Sequence, residues 1–261
     1  MVRPILGLLA CSAIALAGTA TPARAAVELI TNGGFEMTSS PAASELGLNG
    51  YSVTGWTNNN NGYNFIFTAA ASGTAGTTSA SQYNGPQGTA TVGLYTPATS
   101  TATTKAGSLV SPVGGNVIAA DGAFQRGSIS QVVGRLSAGT NYLLTFWWAA
   151  SQQTGFTGDT TESWGVTFGN QSYSTPTVTT PSNGFSPWRQ ASVVFSATSA
   201  SQTLAFLAAG GPSGGQPPFS LLDGVSLVAA PEPATWAVLA IGLVGAGAFT
   251  ARRRRTAGAA A

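Results

Sequence analysis

The chain has 261 residues, of which only 7% are charged, with a single cysteine, Cys11, and no histidine. This composition excludes Ser-His-Asp and Cys-His hydrolases, His-ligated zinc or iron, intrachain disulfides and thiolate metal clusters. The formal charge of +2 comes from the chain ends, since residues 26–230 hold four basic and seven acidic side chains, a net charge of −3 that argues against a nucleic-acid partner.

Residues 1–25 have the pattern of a secretory signal peptide. Arg3 precedes an apolar run at 5–17, and the segment closes on Ala23 and Ala25, which fit the small-residue positions recognised by signal peptidase. Cleavage there predicts a mature chain that begins at Ala26.

A second interpretation of this end remains open. Residues 8–11, Leu-Leu-Ala-Cys, resemble a lipoprotein box, which would place a lipid on Cys11. The apolar stretch before Cys11 would then be only seven residues long, from Pro4 to Ala10. That length favours ordinary cleavage.

Between residues 27 and 228 no segment has a convincing helical period, and short segments alternate between apolar and polar residues instead. They lie at 128–133, 142–148, 164–168, 193–195, 204–206 and 219–227. Frequent turn residues between them predict one all-β domain over 26–230, an antiparallel β-sandwich. The 142–150 run has apolar stretches on both faces, which predicts a central strand covered on each side. In the 219–227 run, Phe219, Leu221, Asp223, Val225 and Leu227 alternate with the remaining residues.

Residues 68–108 are rich in Thr, Ala, Ser and Gly, and only 89–95 resemble a strand. A stretch of this length without structure is uncommon inside a compact domain. It is either a mobile excursion or holds poorly patterned strands, and the polar composition favours a solvated excursion.

The C-terminal end predicts a membrane span. It consists of Pro231, Glu232 and Pro233, then residues 234–251, then Arg252, Arg253, Arg254 and Arg255. Eighteen uncharged residues nearly cross a hydrocarbon core of about 30 Å as a helix. The arginines predict that residues 256–261 form a cytoplasmic tail and that the body lies on the outer side.

The order of these parts over 231–255 resembles the PEP-CTERM sorting signal. The resemblance implies recognition of the tail by an exosortase in the inner membrane of a Gram-negative bacterium. It also implies processing near Pro231–Pro233 and release to the cell surface or extracellular matrix. The alternative is a plain C-terminal membrane anchor.

The body also carries a resemblance, spread over most of 28–228. The opening at 29–36, Leu-Ile-Thr-Asn-Gly-Gly-Phe-Glu, with Gly55-Trp56, and the later segments 129–133, 139–146 and 219–227 resemble galactose-binding-like jelly rolls, including carbohydrate-binding modules. The resemblance implies a jelly-roll sandwich.

A structural Ca²⁺ is a second implication of that resemblance. Its ligands would be Glu36, the carbonyl oxygen of Gly34, and Asp223. The chain departs from the family at Gly224, where a second acidic residue is common. In the alternative interpretation, Glu36 and Asp223 bond loop amides or face solvent.

Four aromatic residues in loop context are candidates for stacking on a sugar: Tyr51, Trp56, Tyr63 and Trp188. The asparagine run at 58–61 supplies hydrogen-bonding groups nearby. Plugs over a sandwich end are the alternative role for these aromatics, and Trp148 and Trp164 are expected in the core because they lie on alternating strands.

Catalysis by a glycosidase carboxyl pair, with Asp159 and Glu162 and a further acid at Asp121, stays an alternative. Acids scattered in loops are the norm, so no catalytic site is expected. The sequence therefore predicts an exported, exosortase-sorted, non-catalytic protein that contacts extracellular polysaccharide. A purely structural matrix protein and a glycan-active enzyme are the alternative functions.

Overall fold

The computed structural model describes residues 26–40, 43–69, 78–83, 89–97, 109, 111–212 and 215–231. The predicted signal peptide and the tail from Glu232 onward lie outside these residues. Within the described ranges no helix is long and apolar enough to cross a bilayer. The predicted span at 234–251 lies outside the described residues, so that finding does not concern it.

The regular secondary structure of the described chain is β-strand, apart from one short 3-10 turn at Leu48–Gly50. In chain order the strands are β1 (Ser44–Glu45), β2 (Thr57–Asn58), β3 (Asn64–Phe67), β4 (Thr78–Tyr83), β5 (Thr89–Leu94), β6 (Val117–Asp121), β7 (Ile129–Val133), β8 (Asn141–Gln152), β9 (Thr160–Phe168), β10 (Gln171–Ser174), β11 (Val178–Thr180), β12 (Phe185–Ser196), β13 (Gln202–Gly211) and β14 (Pro218–Ala229). The all-β prediction is confirmed.

These strands form two sheets. The larger has the order β12-β8-β14-β6-β3-β1-β4-β5, and the smaller has the order β10-β9-β13-β7-β2, with β11 also paired to β9. The pairing is antiparallel except for one parallel bridge between β1 and β4.

The main core lies between the two sheets, where the alternating residues of the central strands meet. Trp164 and Phe206 of the smaller sheet are buried against Phe146 of the larger one, and the Phe206 ring lies 5.1 Å from Phe146 and 6.1 Å from Trp164. Burying each large side chain contributes about 1.5–3 kcal/mol. The Trp164 indole also donates to the carbonyl oxygen of Leu221 at 3.0 Å, which joins the two sheets by a hydrogen bond.

The alternating apolar residues of 219–227 do not all lie on one face of the larger sheet. Phe219 and Leu221 lie in a second apolar cluster on the opposite side of the larger sheet, whereas Val225 and Leu227 lie in the main core. A register shift between Asp223 and Ser226 accounts for the change, because a bulge inserts a residue and reverses the alternation.

The central position predicted for the 142–150 run is confirmed, since β8 lies between β12 and β14. The predicted cover on both faces begins only at Trp148. Leu143, Thr145 and Trp147 are half-buried, while residues 148–152 are buried on both faces.

The second cluster is enclosed by β5, which returns to the end of β8. The Tyr95 amide donates to the carbonyl oxygen of Gln152 at 3.0 Å, and the Thr154 amide donates to that of Gly93 at 2.8 Å. Val92 and Leu94 of β5 are fully buried against Phe65 and its neighbours. Within 68–108 the structure thus has two strands: β5 lies in the strand-like segment 89–95, and β4 is a poorly patterned strand of mostly small polar residues. Residues 70–77, 84–88 and 98–108 lie outside the described residues.

The opening segment completes the edge of β14. β6 pairs only with residues 219–222 of that strand. Beyond the bulge, the Val225 amide donates to the carbonyl oxygen of Gly33 at 2.9 Å, and the Leu29 amide donates to that of Leu227 at 3.0 Å. The start of the described chain and the end of β14 therefore lie together, at what we call the proximal end.

The loops at the other end of β14 form the distal end. They are residues 122–128 after β6, residues 153–159 after β8, and the described residues 212 and 215–217 between β13 and β14. Because β14 has 12 residues, the two ends are separated by about 40 Å.

We expect Gly33→Ala to loosen the opening segment, because a Cβ at Gly33 would lie 1.9 Å from the carbonyl oxygen of Val225. The expected loss is about 1–3 kcal/mol of unfolding free energy, measured by denaturant titration. Gly134→Ala is the matched control, since a Cβ there meets no atom within 4 Å. Equal stabilities of the two variants would contradict the role assigned to Gly33.

Candidate functional site at the distal end

An open cleft of about 320 Å³ lies beside the distal loops, and we call it the distal cleft. Its lining consists of Glu45, Leu46, Gly47, Leu48, Asn49 and Asn61. A carboxylate, two amides and exposed peptide groups give it hydrogen-bonding capacity in several directions. Its composition suits a neutral, hydroxyl-rich ligand.

Left-handed backbone conformations shape one wall of the cleft. Gly47 has φ 93° and Asn49 has φ 49°, conformations that Gly and Asn adopt most readily. The turn is closed by the Gly47 amide, which donates to the carbonyl oxygen of Tyr51, and by the Tyr51 amide, which donates to that of Leu48, each at 2.8 Å.

The asparagine run forms the other wall and anchors it. The Asn58 side chain donates to the carbonyl oxygens of Leu46 and Gly62 at 2.9 Å each, and Asn64 donates to the Asn58 side chain at 2.7 Å. Asn61 is left exposed at the rim, with φ 48°. Within the run, Asn58 is thus structural and Asn61 faces the cleft.

An aromatic pair lies two residues beyond Asn61. The ring of Tyr63 meets that of Phe124 edge to face, with centroids 5.2 Å apart, and Phe124 is 56% exposed. Burial raises the pKa of the Tyr63 phenol, and the negative charges of Glu45 and Asp121 raise it further. Glu45 of β1 pairs with Phe65 of β3, two residues from Tyr63, so the cleft acid and Tyr63 lie close together.

The structure separates the four aromatic candidates. Tyr51 and Tyr63 are half-buried beside the distal cleft. Trp188 packs on the second cluster, from β12 at the outer edge of the larger sheet.

Trp56 is a core residue and offers no surface for a ligand. Its ring lies 5.2 Å from that of Phe35 and 6.2 Å from that of Phe206, and its indole donates to the carbonyl oxygen of Asn32 at 3.0 Å. The alternative role of a plug over the core is the one that the structure supports for Trp56.

Phe124 was missed at the sequence level because no alternation surrounds it. The only signal was its place next to Asp121, whose carboxylate accepts the amides of Ala123 and Phe124 at 2.7 and 3.0 Å. An acid that caps a turn in this way holds the following residue outward.

The predicted metal ligands converge on Gly34. The place of a Cβ at Gly34 lies 3.8 Å from Oε1 of Glu36 and 3.9 Å from Oδ1 of Asp223. Ser111 donates its hydroxyl to the buried Asp223 carboxyl. Burial raises the pKa of Asp223 to about 7, against the hydrogen bonds from Ser111 and Gly224, and the Glu36 charge raises it further.

This donor set fits a hard cation. Ca²⁺ prefers carboxylate, carbonyl and hydroxyl oxygens, and a cation would relieve the repulsion between Glu36 and Asp223. No carboxylate stands at 224, and Glu36 accepts the amide of Asn116 at 2.8 Å. The chain therefore supplies two carboxylates where a richer acidic set would bind more tightly.

The acids considered for catalysis are not presented together to a substrate. Glu162 is 0% exposed and accepts the Thr180 hydroxyl at 2.7 Å, while its Oε1 is buried without a hydrogen-bond partner among the described atoms. Asp159 is exposed and accepts the Ser182 amide at 2.9 Å. Asp121 is buried and caps its turn.

Burial raises the pKa of Glu162 to about 7, although the hydroxyls of Thr160 and Thr180 act in the opposite direction, and burial raises the pKa of Asp121 to about 6. A carboxyl whose pKa is higher in the folded chain than in the unfolded chain favours folding at low pH. That contribution is complete below about pH 4 and is lost as the pH rises through 6 and 7.

We therefore expect the unfolding free energy, measured by denaturant titration with a chelator present, to fall between about pH 4 and pH 8. Glu162→Gln should remove on the order of 1–3 kcal/mol of that pH dependence. Asp159→Asn, at an exposed acid, is the control and should keep the slope. Parallel curves for Glu162→Gln and the unchanged chain would refute this assignment.

A family description, the PEP-CTERM protein-sorting motif, matches residues 229–255. No curated protein sequence matches the chain. Solved structures with similar strand arrangements include the K1 cleaved adhesin domain of Lys-gingipain from Porphyromonas gingivalis, at 12% identity over 73% of this chain and 99% of that one, with a TM-score of 0.35.

Two carbohydrate-binding modules are also similar. A structure entitled "CBM4 structure and function" has 15% identity over 77% of this chain and 99% of that one, with a TM-score of 0.33. A family 16 module has 17% identity over 52% of this chain and 84% of that one, with a TM-score of 0.28. Scores at this level carry no argument about what this chain binds. The match at 229–255, by contrast, is to a defined sorting motif, and the chain carries the PEP-CTERM signal of an exported surface protein.

Proposed function

We propose that this exported protein is non-catalytic and binds carbohydrate of the extracellular polysaccharide layer through the distal cleft. The observation that carries the proposal is the cleft itself, where Glu45, Asn49 and Asn61 surround a space of about 320 Å³ beside the Tyr63–Phe124 ring pair. Amides and a carboxylate match sugar hydroxyls, and an exposed ring matches the apolar face of a sugar. We also propose that the β-sandwich is of the jelly-roll type.

The position of the cleft relative to the C-terminal tail supports this function. The tail leaves from the end of β14, about 40 Å from the distal loops. While the tail is held in the inner membrane for exosortase processing, the cleft points away from the tethered end. The transient anchor at 234–251, the signal peptidase cleavage before Ala26 and the final surface or matrix location belong to this proposal.

The main test is binding of the exported protein, recovered from the cell surface or medium, to glycan arrays and to extracted extracellular polysaccharide. Asn49→Gly and Asn61→Gly should each weaken binding about 2- to 12-fold, because each removes one side-chain hydrogen-bonding group and suits the left-handed backbone. Binding isotherms measure the change.

Asn60→Gly is the matched control, since Asn60 is exposed, has φ 54° and does not line the cleft. Absence of any glycan binding would leave the purely structural matrix role. Turnover of a glycan, lost in Asp159→Ala or Glu162→Ala, would replace the proposal with the enzyme alternative.

We also propose that Ca²⁺ joins the opening segment to β14 through Glu36, Asp223 and the carbonyl oxygen of Gly34. Both carboxylates lie near Gly34, and the Glu36 charge raises the pKa of Asp223. A bound ion would neutralise the two acids at the place where the bulge interrupts β14. Its role would be structural.

Millimolar Ca²⁺ should then raise the melting temperature by about 5–10 °C at a hundredfold excess over its dissociation constant. Mg²⁺ should do less, because it demands a smaller and more regular oxygen shell. Glu36→Gln should abolish the Ca²⁺ effect, and Asp159→Asn should keep it. A melting temperature that ignores Ca²⁺ would exclude the site.

A further inference from the structure

Among the described residues that line the distal cleft, only Glu45 carries a charge. The amides of Asn49 and Asn61 and the exposed peptide groups suit the hydroxyls of any sugar, so they do not distinguish a charged sugar from a neutral one. A carboxylate does distinguish them, because it attracts a cation and repels an anion. The charge of Glu45 therefore bears on the class of sugar that the cleft binds.

A second acid lies on the other side of Tyr63. In the larger sheet β3 lies between β1 and β6. Glu45 of β1 is opposite Phe65, two residues after Tyr63, so Glu45 and Tyr63 are diagonal neighbours about 7–8 Å apart. The register of β6 on β3 puts Asp121 opposite Tyr63, where the Asp121 amide donates to the Tyr63 carbonyl oxygen at 3.1 Å. Because opposite residues project to the same face, the two acids lie on either side of Tyr63.

The charges that act on Tyr63 are both negative. Burial raises the pKa of the phenol most, and the charges of Glu45 and Asp121 raise it further. The phenol therefore stays protonated and its ring stays neutral. The surroundings of this ring favour a positive charge over a negative one.

The arginines of the described body are held elsewhere. Arg126 donates through Nε to the carbonyl oxygen of Ala208 in β13 at 2.9 Å, and Arg135 donates through Nη2 to that of Glu28 at 3.3 Å. Arg189 lies on β12, at the far edge of the larger sheet. An acidic sugar is best held by a guanidinium, which binds a carboxylate through two parallel hydrogen bonds. The described lining of the cleft supplies none.

The aromatic pair beside the cleft offers a cation a second kind of contact. Phe124 is 56% exposed, and its ring meets that of Tyr63 with centroids 5.2 Å apart. An ammonium group within about 6 Å of a ring centroid is attracted by the negative face of the ring. A cation at this place would have the Glu45 carboxylate on one side and an aromatic face on the other.

We propose that the distal cleft selects amino sugars that carry a free ammonium group over N-acetylated, neutral and acidic sugars. This inference rests on the proposed carbohydrate binding and names the class of sugar that the same cleft binds. The ammonium group lies between the Glu45 carboxylate and the Tyr63–Phe124 pair, while Asn49 and Asn61 bind hydroxyls. N-acetylation removes the positive charge and with it the selected contact.

The test compares four β-1,4-linked tetramers, of glucosamine, N-acetylglucosamine, glucose and glucuronic acid. Their binding to the full-length chain in a non-glycosidic detergent is measured by calorimetry at low ionic strength and about pH 6.5, above the pKa of about 6 to which burial raises Asp121. The glucosamine tetramer should bind about 2- to 5-fold more tightly than the N-acetylglucosamine and glucose tetramers, and the glucuronic acid tetramer should bind most weakly. Glu45→Gln should remove this preference.

Asp159→Asn is the matched control. Asp159 is exposed at the same end and does not line the cleft, so the variant removes the same charge from another place and should keep the preference. Melting curves check that each variant is folded.

Three outcomes would overturn the inference. Equal affinity of the unchanged chain for the glucosamine and N-acetylglucosamine tetramers would do so while the cleft proposal stands. An equal loss of preference in Asp159→Asn and Glu45→Gln would assign the preference to net charge. Failure of all four tetramers to bind would overturn both this inference and the carbohydrate binding on which it rests.

Discussion

The rest of the fold depends on one constraint: two different segments of the chain share one edge of β14. β14 pairs with β8 along one edge, but β6 occupies only residues 219–222 of the other. The opening segment takes the remainder through Gly33 and Leu29. A bulge at Asp223 marks the change of partner, and it lets the same strand contribute to the core between the sheets and to the second cluster.

Three properties of the molecule follow from this arrangement. The start and the end of the described body meet at the proximal end, so the loops at the opposite end carry no terminus. The carboxyl of Asp223 lies where the two partners meet, and the charge of Glu36 reaches it there. The second cluster needs its own cover, which β5 supplies by returning to the end of β8.

Much of this could be predicted wherever alternation was regular. Trp164, Val166 and Phe168 are buried as their spacing requires. The same alternation predicts that Glu162 is buried too, and it is. The bulge at Asp223 could not be predicted, because a one-residue insertion leaves no mark in apolar spacing. β4 was missed because its sequence, Thr-Ser-Ala-Ser-Gln-Tyr, lacks large apolar residues. Trp56 was expected at the surface but is buried. Its position depends on a hydrogen bond to Asn32, in a turn distant in sequence, which residue spacing around Trp56 does not indicate.

The candidate site was predictable only in part, for a related reason. The asparagine run and Tyr63 stood out by composition, but Phe124 and the contact between Gly122 and Gly210 arise from loops brought together by the sheets. Loops far from both termini can change without disturbing the pairing of the opening segment with β14, or the sorting tail beyond it. The distal loops are therefore the part of the body where ligand contacts can vary most freely, and the exposed rings of Phe124 and Phe156 lie there.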